Sequence, residues 1–97
     1  MAKAYWVSAY HSVSNPDALA AYAELAGPAI TAAGGTMLAR GGRVQAYEAG
    51  RAERTVIIEF ESFEAAVAAH DSDGYQAALA KLGTDSVVRD LRIVEGV

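Results

Sequence analysis

The chain is 97 residues long, contains no cysteine, carries a formal net charge of -4 and is 53% hydrophobic. That length and composition suit a single domain spanning 1–97, large enough to bury a core without metal or disulfide staples, and the missing cysteines exclude disulfides, thiol catalysis and thiolate metal ligands. The acidic balance and the lack of a basic cluster argue against nucleic acid as the main partner, since phosphate neutralisation needs clustered Lys and Arg, and no apolar run approaches the roughly 20 residues of a membrane helix.

Only Lys3 precedes Tyr5-Trp6-Val7 and no apolar signal region follows, so no secretory signal is read and a cytoplasmic location is expected. Ala4 to His11 alternates Tyr5, Val7, Ala9 and His11 against Trp6, Ser8 and Tyr10, an opening strand with bulk on both faces and therefore a central one. Asn15-Pro16-Asp17 starts a helix: Asn15 can cap the free amides, Pro16 presets φ, and Asp17 favours the positive end of the dipole. Leu19, Tyr22, Ala26 and Ile30 line one face, Pro28 predicts a kink or local distortion near Glu24 to Gly27, and Gly34-Gly35 ends it.

Thr36 to Arg40 and Val44 to Glu48 read as two short strands joined through Gly41-Gly42. Thr55 to Phe60 is the clearest strand, with Val56, Ile58 and Phe60 on one face and Thr55, Ile57 and the lone charge Glu59 on the other. Ser62 caps a helix that carries Glu64 in its first turn and Phe63, Ala66, Val67 and His70 along one face. Ser72 opens another short helix, Gly83 closes it, and Val87 to Glu95 forms a last strand with Leu91 and Ile93 opposite Arg92 and Val94.

This order of strands and helices is the split pattern of an α+β, ferredoxin-like βαββαβ fold, with an antiparallel sheet and both main helices on one face. The other face, which carries Ile57, is left open, so a homodimer packed sheet to sheet is expected. The runs Gly34-Gly35-Thr36-Met37-Leu38-Ala39-Arg40-Gly41-Gly42, Val56-Ile57-Ile58-Glu59-Phe60 with Ser62-Phe63-Glu64-Ala65-Ala66, Ser72 with Tyr75-Gln76-Ala77-Ala78, and Ile93-Val94-Glu95-Gly96 resemble the domain of unknown function 1330 family over nearly the whole chain. The resemblance implies a dimeric α/β barrel of ferredoxin-like subunits, a superfamily that also holds small monooxygenases, isomerases and proteins with no known activity. It implies no particular reaction. The chain departs from the family pattern at Ala69-His70-Asp71 and Asp73-Gly74, where the family has bulky aromatics before the serine and Pro-Glu after it.

Glu59, a carboxylate on a half-apolar strand, must find a partner such as Arg40 or shift its pKa upward, which makes it either a structural ion pair or a candidate acid-base group. His70, beside Asp71 and close to Asp73 and Tyr75, is the other acid-base candidate, although helix capping explains the cluster equally well. Arg40 is a candidate anchor for a carboxylate or enolate, Tyr75 a hydrogen-bond donor, and Tyr22 and His11 further pocket residues. His11, His70 and Glu59 lack the paired spacing of a metal motif, and no nucleotide or phosphate loop occurs, so neither metal nor cofactor is expected. Two readings follow: a homodimer that binds, or transforms without a cofactor, a small aromatic or keto-acid-like molecule, and a non-enzymatic dimeric module.

Overall fold

The structure, a computed structural model, describes residues 2–97. Seven elements follow in chain order: β1 (Ala4–Val13), α1 (Pro16–Ala32), β2 (Thr36–Arg40), β3 (Thr55–Phe60), α2 (Phe63–Asp71), α3 (Asp73–Leu82) and β4 (Val87–Glu95). The strands form one antiparallel sheet in the order β2-β3-β1-β4, the ferredoxin-like arrangement, with β1 central as its two bulky faces predict.

Local chemistry sets the helix boundaries. The Asn15 side chain accepts from the Ala18 amide at 3.1 Å, Ser62 accepts from Ala65 at 3.1 Å and Ser72 from Tyr75 at 3.3 Å, so each main helix starts on a side-chain cap. Gly34 and Gly83, at φ 95 and 75, take the left-handed turns that stop α1 and α3. α1 runs unbroken through Pro28, and no break divides it at the predicted kink. In α2 the buried residues are Ala66 and Ala69, while Phe63 is 40% exposed.

Val44 to Glu48 is not a strand. β2 is an edge, and residues 41–54 leave it as a loop with no strand alongside to complete a ladder; Tyr47 is 77% exposed and Glu48 has φ 53. Exposure still alternates there, with Val44 and Ala46 half-buried and Gln45 and Tyr47 exposed.

The core lies between the helices and one sheet face. Trp6, Ile58 and Phe60 meet Tyr22, Ala26, Ile30, Ala66, Ala69, Tyr75, Ala78 and Leu82 there, and Trp6, Phe60 and Tyr75 are the largest side chains fully removed from water. Gly35 is required at the end of α1: a Cβ on it would sit 2.6 Å from Ile30 Cγ2 and 2.9 Å from Phe60 Cζ. The opposite sheet face leaves Val88 and Val94 more than half exposed.

Candidate functional site

Register places the inward-facing residues of the three paired strands in rows. Arg89, Tyr10 and Arg54 form one row across β4, β1 and the start of β3; Leu91, Ser8 and Val56 form the next; Ile93, Trp6 and Ile58 form the third. The sheet face thus passes from charged to apolar within three rows. Over it, α1 contributes Tyr22, Ala23, Ala26, Gly27 and Ile30, and β2 contributes Met37 and Arg40, bounding a partly open cavity of about 50 Å³. Arg40 reaches this face because a β-bulge between Met37 and Ala39 shifts the register by one, so Arg40 opposes Val56.

At the charged end, Arg89 Nη1 donates to the Tyr10 hydroxyl at 3.0 Å and the Tyr22 hydroxyl at 3.2 Å, while Nη2 donates to Tyr75 at 3.1 Å. Tyr22 and Tyr75 share a 2.7 Å hydrogen bond in which either is the donor. The guanidiniums of Arg54 and Arg89 both lie over the Tyr10 ring, 5.8 and 5.5 Å from its centroid, within cation–π range. Burial works against the charge of Arg89, but the surrounding tyrosine oxygens outweigh it and raise the pKa above the ordinary guanidinium value. Burial also raises the Tyr75 hydroxyl well above its ordinary value, Tyr22 adds to the shift, and Arg89 offsets only part of it. Tyr75 is therefore a neutral donor throughout the physiological range.

Two buried polar atoms at this cavity have no hydrogen-bond partner in the protein: Ser8 Oγ and Arg54 Nε. Ser8 is only 4% exposed. Three arginines line the cavity and, among the described residues, no Asp, Glu or His does, in a chain whose net charge is -4. Arg40 is exposed and Arg54 and Arg89 are half-buried, and the partners of Arg89 within the protein are neutral tyrosine oxygens.

The residues singled out from sequence fall in different places. Arg40 and Tyr22 line the cavity, and Tyr75 holds Tyr22 and Arg89 from behind. Glu59 is on the opposite sheet face, 3.6 Å from Lys3 Nζ, so Lys3 rather than Arg40 is its partner. His70 packs its ring 5.7 Å from Trp6 and 5.3 Å from Tyr75, with Nδ1 3.0 Å from Asp71, and does not line the cavity. His11 is the extra residue of a β1 bulge, between the pairs Tyr10–Arg89 and Ser12–Val88, and is exposed. Glu59, His70, Arg40 and Tyr75 thus do not converge on one cavity. No group of three or more metal-ligating side chains is found among the described residues. Arg54, Arg89 and Ser8 were not singled out from sequence, although each is a polar residue in phase with the apolar core positions of its own strand.

Fold and site together define a ferredoxin-like α+β protein with an arginine-lined, apolar-walled cavity beneath its first helix. The chain belongs to the family described as Domain of unknown function (DUF1330), which matches residues 3–97. Among solved structures it is similar to the RPA0582 protein of Rhodopseudomonas palustris, described as of unknown function: identity is 20% over 97% of this chain and 80% of the other, with a TM-score of 0.67. A methylated form of RPA0582 gives 18% identity over 99% and 82%, with a TM-score of 0.71. A dimeric ferredoxin-like protein of unknown function from Thermobifida fusca gives 14% identity over 97% and 91%, with a TM-score of 0.53. At these identities the likeness carries the fold alone. No curated protein matches the chain.

Proposed function

We propose that this protein is a homodimeric binding protein for a small organic anion, held in the cavity between α1 and the sheet. The observation that carries the reading is the row Arg54, Tyr10 and Arg89: two guanidiniums and a ring of donors with no acid facing them, next to a buried serine hydroxyl without a partner. Guanidinium forks match a carboxylate bidentately and are weakly hydrated, which suits a partly buried site. The geometry favours binding over turnover. Among the lining residues there is no carboxylate or imidazole to exchange a proton near neutral pH, and Tyr75, behind the cavity, is held in its protonated form.

Assembly into a dimer rests on the outer sheet face, where Val88 and Val94 are 58% and 52% exposed, and on the description of the Thermobifida fusca neighbour as dimeric. The site is tested with three molecules of one size and different charge: acetate, acetamide and ethylammonium. Ligands that bind only the folded state raise its melting temperature. A saturable rise with acetate alone, lost in Arg54→Met, is expected; equal behaviour of the three molecules, or an unchanged acetate response in Arg54→Met, contradicts the site.

A further inference from the structure

Resting on that reading of the cavity, we infer that its ligand is a short-chain carboxylic acid oxygenated at the 2-position, with the carboxylate at the Arg54–Tyr10–Arg89 row and the 2-oxygen at Ser8. Three observations set the class. The first is the sequence of rows: charge and hydroxyl donors stand in the Arg54–Tyr10–Arg89 row and in the next one, where Arg40 opposes Val56 beside Ser8, and the remaining walls are the apolar Val56, Leu91, Ile58, Ile30 and Met37. A phosphate presents polar oxygens in every direction and would turn some of them against those walls, at the cost of desolvating oxygens that find no donor. A carboxylate with a carbon tail presents its charge at one end and matches the gradient.

The second observation is the donor inventory of the charged end. Arg89 uses Nη1 and Nη2 on the three tyrosines, and either Tyr22 or Tyr75 donates to the other. When Tyr75 donates, the Tyr22 proton is free; the Tyr10 hydroxyl accepts from Arg89, which leaves its own proton to give, and Arg54 Nε–H has no protein acceptor. Every group turned to the ligand head is then a donor, as an anion requires.

The third is Ser8 itself. It is 4% exposed, has no partner, and lies one row from Tyr10 on the same face of β1, a step of about 6.6 Å along the strand between Cα atoms. A hydroxyl in that position, between the charged row and the apolar row, meets a substituent on the carbon next to the carboxylate. It serves a 2-oxo group as donor and a 2-hydroxy group as donor or acceptor. The volume of about 50 Å³ has room for about four waters at roughly 10–15 Å³ each, which suits a ligand of a few carbon atoms.

The test is calorimetric titration of the full chain with pyruvate, lactate, propionate and inorganic phosphate. Pyruvate or lactate is expected to bind about tenfold more tightly than propionate, the worth of one hydrogen bond to a buried hydroxyl. Ser8→Ala is expected to abolish that difference while leaving propionate within about twofold of wild type, and its melting temperature without ligand shows that it is folded. Equal affinity for propionate and pyruvate in the wild type overturns the assignment of the 2-oxygen. Binding of phosphate in place of all three acids overturns the carboxylate class and leaves the anion cavity standing. Silence of all four probes overturns the inference, and the acetate melting test then decides separately whether the cavity is a site at all.

Discussion

Arg89 is surrounded by oxygen atoms that carry no negative charge, and Tyr75 is the one that links it to the core. Its ring meets Trp6 edge-on at 4.9 Å and its hydroxyl bonds Tyr22 and Arg89. Removing that hydroxyl leaves two groups short of a partner, so Tyr75→Phe is expected to lose about 1–3 kcal/mol of stability at neutral pH by urea denaturation. The raised pKa also has a sign in alkali. The folded chain keeps the Tyr75 proton after the unfolded chain, with an ordinary tyrosine value of about 10, has released it. Stability from this group is whole below that pH and lost as pH rises through the folded value. The decline of wild-type stability above about pH 10 should therefore be shallower in Tyr75→Phe; an identical slope would show that Tyr75 does not carry it.

At the scale of elements, two bulges decide which side chains share the cavity. Strict alternation puts Met37 and Arg40 on opposite faces of β2, and the bulge returns both to the inner one; a second bulge makes His11 the unpaired residue of β1. Nothing in the types of these residues marks a bulge, which arises from how two strands settle against each other. That is why alternation located Trp6, Ile58 and Leu91 but gave no sign that His11 would stand unpaired. The same limit explains Val44 to Glu48, read as a short strand because the missing neighbour strand is not legible in the sequence. Caps, by contrast, are local chemistry, and Asn15, Ser62, Ser72 and Gly83 were readable for that reason. Pro28 falls between. It offers no N–H to the Glu24 carbonyl, yet Gly27 ahead of it has no Cβ to strike the proline ring, and α1 continues unbroken. Pro28→Ala restores the missing bond at an exposed position. It should raise stability by about 2 kcal/mol in thermal or urea unfolding, the helix gain of ~3 less the rigidity proline gives the unfolded chain; a loss of stability would mean that proline is needed for the packing of α1.

The whole molecule separates its two sheet faces by task. The inner face carries the core and the arginine cavity; the outer face carries Glu59 with Lys3, Asp90 with Arg92, and exposed Val88 and Val94. Glu59 drew notice in the sequence because a charge among apolar residues is conspicuous, while Arg54 and Arg89 sat at strand ends where charges are ordinary. Only the pairing of β1 with β3 and β4 brings those two together across Tyr10. On a sheet-to-sheet dimer, Val94→Asp places an unpaired carboxylate in the contact, so the variant should be folded by circular dichroism and monomeric by light scattering at micromolar concentration. A dimer of unchanged strength would move the interface elsewhere. The occupant of the cavity is tested most directly by a crystal structure of the protein grown with pyruvate. The pyruvate carboxylate is expected against Arg54 and the Tyr10 and Tyr22 hydroxyls, with the keto oxygen at Ser8. Pyruvate bound at another place, or a cavity closed by its own side chains with Arg54 turned to solvent, would contradict that placement.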